Sequence, residues 1–377
     1  MASAYRARKP ARRAPGERPI AELLWGDRSE NTGGCAGEEA DMATIGDVAK
    51  AAGVSRSTVS YALSGKRSIS LDTQQRIQRA IRELDFTVNA GARALATRRT
   101  MALGLLVHFD PDEFAPAMLE YILPITTRAR ELGYDILMVT EPDGAAALTR
   151  VASSGMVDGL LLLSVSTEDD RLPALRAARQ PGAAIGVPRD AAGVDVVDLD
   201  FGDAARVLVG HLADLGHRRI GVITPPAHVF ERGGTYGVRF RDAAVEAAAG
   251  LGLDLAVQPA GATAQAMEPM ITRFLDENPG LTALVVHSDR AVAMLPSILG
   301  RRGVAVPEQL SVVSLYSGEF ARDFSLPYTY VETGPSELGA RVVERLVERI
   351  EHPERAEDPA VRLLDARLVD RGSAVPL

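Results

Sequence analysis

The stretch TIGDVAKAAGVSRSTVSYAL, Thr44–Leu63, decides how the rest of the chain is read. Thr44 stands three residues before Asp47, the [ST]-x-x-[DE] spacing at which a hydroxyl and a carboxylate cap a helix start. Ile45, Val48, Ala49 and Ala52 then recur at i, i+3, i+4 and i+7, one helical face. Gly53 ends that helix. Ser55 caps a second one, which carries Val59, Ala62 and Leu63 inward. A third helix follows: Ser70 caps it, Asp72 lies in its first turn, and Ile77, Ala80, Ile81 and Leu84 share a face. The small residues Ala49 and Ala52 allow the first two helices to cross closely.

A helix, a glycine turn and a second helix leave the start of the second helix free to enter a DNA major groove. Here that start is Ser55, Arg56 and Ser57, with Tyr61 one turn on. Arg56 suits the O6/N7 edge of guanine, Ser57 is adaptable, and Tyr61 can meet bases or phosphate. Thr44, Ser55, Thr58 and Ser60 offer hydroxyls to phosphate. The same pattern also fits a small helical core with a polar face. Charge separates the segments: residues 1–41 are net 0, residues 42–100 net +6 and residues 101–377 net −14. A basic head on an acidic body fits a polyanion binder fused to a domain with another task, although chance clustering gives the same numbers.

Residues 1–41 show no sustained periodicity and read as a disordered extension, or as sequence upstream of a start at Met42. From residue 101 strand and helix alternate. Strand patterns stand at 101–107, 135–139, 158–163, 183–187, 194–200, 219–224, 283–287 and 310–315, and Met118–Leu132 is helical. Continuous apolar strands separated by helices imply parallel sheets covered on both faces. At this length two doubly wound subdomains are expected rather than one sheet. The expected class is thus α/β, behind a head of three helices. A single cysteine, Cys35, excludes a disulfide framework. Neither a secretory signal nor an apolar run of membrane-spanning length is present, which fits a cytoplasmic protein.

The head resembles the DNA-binding domain of LacI/GalR-type bacterial transcription regulators over TIGDVAKAAGVSRSTVSYALSGKRSISLDTQQRIQRAIRELDF. The resemblance continues through VNAGARALATRRT, LADLGHRRIGVI, SDRAVAM, RRGVAVPEQLSVVSL and RLLDARLVDRGS, from Thr44 to the C-terminus. It implies a helix-turn-helix domain at 42–88, a hinge helix and linker at 89–100, and an effector-binding and dimerisation core at 101–377. That core would resemble periplasmic binding proteins, with two α/β subdomains and three crossovers. It also implies a homodimer on a pseudo-palindromic double-stranded operator, acting as a repressor under a small-molecule effector, a sugar or other metabolite. The hinge helix would span 89–97, with Asn89, Ala92 and Leu95 at the minor groove. It is too short to be stable alone in water and would order on DNA.

The resemblance places the effector between the subdomains, and there this sequence departs from the family pattern. Tyr236 stands where an effector-gripping Arg is common, and Arg232 is the candidate substitute from the preceding loop. Ser288 replaces the usual Asn before Asp289. Tyr316 replaces the usual acidic residue after its strand, and no aromatic stands near Ala262. Asp289 reads either as a ligand contact or as the cap of the helix it opens. Phe114 reads as a lid or as core. The tyrosines point to a flatter or more apolar ligand than a simple sugar, or to a cleft that has lost binding. No phosphate loop, zinc-protease helix or nucleophile elbow occurs, and the six histidines lack ligand spacing. No enzymatic activity, metal or cofactor is therefore expected. The competing reading is a small-molecule receptor without a regulatory role.

Overall fold

The structure is a computed structural model that describes residues 43–64, 69–84, 86, 99–109, 114–141, 143–354 and 357–377, the side chains of 63 and 64 excepted. It divides into two units, Met1–Val88 and Asn89–Leu377.

In the first unit, helices α1 (Ile45–Ala52), α2 (Arg56–Ser64) and α3 (Leu71–Glu83) occupy the expected places. Thr44 and Asp47 form a complete capping box on α1. Gly53 ends α1 at φ 64°, a left-handed conformation that a side chain would strain. Ser70 caps α3 by accepting a hydrogen bond from the backbone N–H of Thr73. Val48, Ala49, Ala52, Val59, Ile77 and Ala80 form the core, with Ile45, Val54, Ala62, Ile69, Ile81 and Leu84 packed around it.

The second unit holds two six-stranded sheets. Strands β1 (Ala102–Leu106), β2 (Asp135–Val139), β3 (Gly159–Leu162), β4 (Gly182–Ile185) and β5 (Asp195–Leu199) build the first, and β11 (Val361–Leu364) joins its edge. The order is β11-β5-β4-β3-β1-β2, parallel throughout. Strands β6 (Arg219–Thr224), β7 (Asp254–Pro259), β8 (Ala283–Val286), β9 (Ser311–Tyr316) and β10 (Thr329–Glu332) build the second. Its order is β12-β10-β9-β8-β6-β7, with the short β12 (Leu368–Val369) antiparallel to β10. The chain therefore passes between the sheets three times: after β5, after β10 and after β11.

Parallel strands need crossover elements, and the crossovers cover both sheet faces. On the first sheet, α4 (Ala115–Glu131) and α13 (Pro335–Glu351) pack on one face. The two helices approach so closely that a Cβ on Gly339 would stand 2.9 Å from Pro124. Helices α5 (Gly144–Ser154) and α6 (Arg171–Ala177) cover the other face. On the second sheet, α7 (Phe201–Asp214) and α9 (Thr235–Gly250) share one face, with the short α8 (Ala227–Glu231) leading into α9. Helices α10 (Ala264–Glu277), α11 (Asp289–Arg302) and α12 (Gly318–Asp323) cover the opposite face.

Strands β7, β10, β11 and β12 were not among the patterns read from sequence. β7 and β11 lie at sheet edges and bury only part of their side chains, so they lack an unbroken apolar run. β10 is buried but only four residues long.

Asp195, at the start of β5, is wholly buried. Its carboxylate holds three arginines: Arg349 on α13, Arg362 on β11 at 3.0 Å and Arg345 on α13 at 3.9 Å. The group ties the returning strand and helix to the first sheet. Asp195→Ala would leave these guanidiniums without their shared counter-ion, a loss of about 3 kcal/mol. Urea unfolding should show a lower midpoint with an unchanged slope.

Candidate DNA interface and effector cleft

At the start of α2 the backbone N–H of Thr58 donates to Ser55 Oγ at 3.1 Å, and the two hydroxyls lie 2.8 Å apart. Thr44 Oγ1 donates to Asp47 at 2.6 Å, and this bond holds the Asp47 carboxyl below its usual range. Thr44 and Ser55, expected as phosphate contacts, thus also cap helices, and the Thr58 hydroxyl lies against the Ser55 cap. Ser60 is half-buried, whereas Arg56, Ser57 and Tyr61 are exposed, Tyr61 at 40%. A Cβ on Gly46 would stand 2.8 Å from Arg56 Nη2, so the bare glycine lets the guanidinium lie along α1. Asn89, Ala92 and Leu95 lie outside the described residues.

In the second unit a cavity of about 130 Å³ opens between the two sheets, at the C-terminal ends of their strands. The first subdomain contributes Met118, Glu120 and Tyr121 from α4, Leu163–Val165 after β3, Ile185 at the end of β4 with Gly186 after it, and Asp198 from β5. The second contributes Phe201, Arg232, Thr235, Tyr236, His287, Asp289, Leu315 and Thr333. Clefts of open α/β sheets form at such strand ends because the loops there diverge.

Arg232, Tyr236 and Asp289 line this cavity, and Arg232 brings its Nε and Nη1 in buried. Three other expected residues do not line it. Tyr316 is 1% exposed; its ring stacks on Tyr330 at 4.4 Å and its hydroxyl donates to the Tyr328 carbonyl at 2.6 Å. As the last residue of β9, it points into the helix-covered core of the second sheet. Ser288 caps α11, its Oγ accepting from Ala291 N at 3.4 Å. The cap is therefore Ser288, which frees Asp289 from that role. Phe114 packs edge-on against Phe320 at 6.1 Å and lies under the Arg290 guanidinium, so it is core rather than lid.

Sequence reasoning missed Glu120, Tyr121, Asp198, Phe201 and His287. Asp198 had a signal: an acidic residue inside the apolar strand VDVVDLD. Glu120 had none, because a carboxylate on an amphipathic helix is ordinary. Burial pushes Asp198 up to about 7, although Arg239 donates to it at 2.8 Å. Burial likewise pushes Glu120 up to about 7, against a 2.7 Å hydrogen bond from Ser317. His287 is forced down to about 3 by burial and is neutral. Its ring sits among Phe201, Tyr236 and Phe240 at 5.7, 5.6 and 4.3 Å, and its buried Nδ1 has no hydrogen-bond partner.

Residues 44–89 match the family described as bacterial regulatory proteins, lacI family, and residues 209–374 match the periplasmic binding protein-like domain. The HTH-type transcriptional regulator AglR of Rhizobium meliloti is 30% identical over 349 residues, 87% of this chain and 93% of its own. The chain belongs to the lacI family. A solved complex of the transcriptional regulator CelR with cellobiose is 27% identical, covering 88% of this chain and 100% of that one at TM-score 0.63. A lac repressor dimer bound to operator and an anti-inducer shares the fold at 22% identity and TM-score 0.73, covering 88% of this chain and 99% of that one. A lacI-family chain is a DNA-binding transcriptional regulator, and the three-crossover core is that of a periplasmic-binding-protein-like domain.

The raised carboxyl in the cleft has a measurable consequence. Glu120 moves from its ordinary 4.5 to about 7 on folding, so the folded chain holds this proton more tightly than the unfolded chain. Its contribution is full below the unfolded value and is lost as pH rises through 7. The unfolding free energy of wild type minus that of Glu120→Gln should fall between pH 4.5 and 7 and then level off. A flat difference would mean that Glu120 ionises as an exposed carboxylate does.

Proposed function

We propose that this chain represses transcription as a homodimer in the cytoplasm, reading a pseudo-palindromic operator with two copies of α2 under control of a small molecule in the cleft. The observation that carries the reading is a capped second helix exposing Arg56, Ser57 and Tyr61, within a head that matches the lacI family. The lac repressor's operator complex and the CelR complex with cellobiose supply precedents for the two ligand types. Arg232, Tyr236 and Asp289 are the effector contacts expected from sequence that fit this reading. The hinge at 89–100, with Asn89, Ala92 and Leu95 at the minor groove, belongs to the same proposal. Closing the cleft on a ligand changes the angle between subdomains, and operator affinity follows through the hinge.

An apolar surface supports pairing of two copies. Leu119 and Leu123 on α4 are 48% and 59% exposed, and they border a groove with Pro116, Pro124, Phe320 and Phe324. Leu123→Glu should shift sedimentation of the full chain from dimer to monomer.

The full chain should enrich one short palindrome from random genomic fragments at physiological salt. Arg56→Ala should weaken binding to that site by about 1–3 kcal/mol and relax selectivity at one base position. Unchanged affinity and selectivity in a fluorescence anisotropy titration would misplace the recognition helix.

A further inference from the structure

The two subdomains of the second unit also meet away from the three passages. Ser166, after β3, forms an antiparallel bridge with Gly234, just before α9. The Thr167 N–H donates to the Gly233 carbonyl at 2.7 Å, and the Thr167 hydroxyl donates to the same carbonyl at 3.0 Å. The Thr235 N–H donates to the Val165 carbonyl at 3.3 Å. Among the described residues no other backbone hydrogen bond joins the subdomains away from the passages. The first strand of this latch is fixed within its own subdomain. The Thr167 carbonyl accepts from the Arg189 N–H at 2.9 Å, and the Ser166 N–H donates to Asp169 at 3.0 Å. Asp169 is buried and pairs with the buried Arg171 at 2.7 Å, whose guanidinium also donates to the Leu163 and Ser164 carbonyls. The second strand is the turn from α8 to α9, bare of side chains at Gly233 and Gly234. Gly233 is at φ 71°, and a Cβ on Gly234 would stand 2.8 Å from Val229 Cγ1 and 3.0 Å from the Val229 carbonyl oxygen.

We propose that this latch is the gate of the cleft, so that a ligand enters or leaves the cavity only when residues 165–167 and 233–235 part. This rests on the reading of the cleft as the effector site. Leu163, Val165, Asp198, Phe201, His287 and Leu315 all line the cavity, and none is more than 6% exposed. A small molecule does not reach them in the closed arrangement. The three passages are covalent and can only flex, so they are the hinge, and the latch decides whether the hinge opens. The pairs Glu120–Ser317 and Asp198–Arg239 also cross between the subdomains. A side chain can follow its partner through a small rotation, whereas backbone bonds break as soon as their strands separate. Val165 and Thr235 belong both to the latch and to the cavity wall, and Arg232 and Tyr236 flank the second strand. A ligand seated against both walls therefore bears on the latch directly and holds it shut.

The test uses the full chain carrying Cys35→Ser and a reporter thiol, with iodoacetamide as the probe. Leu315→Cys places the thiol in the cavity wall, and Leu148→Cys places it in the core of the first sheet, outside the cavity, where it reports global unfolding. The cavity reporter should react far more slowly than an exposed thiol. Thr167→Val keeps the side-chain shape and removes the hydroxyl bond, and should speed that reaction about fivefold, the effect of one hydrogen bond on a two-state balance. Gly234→Ala, whose methyl meets Val229, should speed it as well. The Leu148→Cys rate should stay the same in both variants. A cavity reporter as reactive as an exposed thiol, a rate that neither variant changes, or an equal rise at both reporters overturns the proposal. Amide hydrogen exchange gives a readout without any reporter: Thr167→Val should speed exchange of the Thr235 N–H about fivefold and leave β3 unchanged, and unchanged exchange at Thr235 overturns the proposal too. No ligand or DNA enters this test. Loss of effector response or palindrome selectivity thus counts against the regulator reading alone, and an unmoved reporter against the latch alone.

Discussion

Two parallel sheets share one chain, and the chain must pass between them three times. Every other feature of the second unit follows from that constraint. Parallel strands cannot be joined by tight hairpins, so each connection is a helix or long loop laid over a sheet face. The strand C-termini of both sheets then gather where the passages run. Asp198 and Phe201 flank the first passage, and Thr333 lies on the second. Arg239 binds Asp198 at 2.8 Å and Asp200 at 3.6 Å, so one residue of the second subdomain holds the first passage at both ends. The wall of the cleft and the joint between subdomains are the same few residues.

Glu120 and Asp198 line the cleft and also reach the second subdomain, Glu120 through Ser317 and Asp198 through Arg239. Burial sets both near neutrality, where a small interaction changes their charge. The head works on a different principle. Its buried core is only six side chains, and its geometry depends on the caps of Thr44, Ser55 and Ser70 and on Gly53. Hydroxyls read from sequence as phosphate donors turn out to hold helix starts, because an uncapped N-terminus leaves backbone donors unsatisfied.

A position just past an apolar strand does not by itself place a side chain in the cleft. Tyr316 and Ser288 occupy positions just past apolar strands, where functional groups collect. Yet the last residue of β9 turns inward, and the residue after His287 is needed as a cap. A shift of one residue along a strand exchanges core for cleft. Glu120 and Tyr121 enter the cleft from α4, a helix distant in sequence from every other lining segment.

Sequence alone determined the three helices of the head and their caps, the alternating α/β core, most of the central strands and the family. Local periodicity and capping spacings are enough for these, because each is specified by neighbours a few residues apart. Edge strands β7, β11 and β12 stayed illegible, since half-exposed side chains carry weak periodicity. The cleft was decided by tertiary structure. Its carboxylates and rings come from segments as far apart in sequence as Glu120 and Asp289, and their protonation depends on burial that only the closed fold supplies.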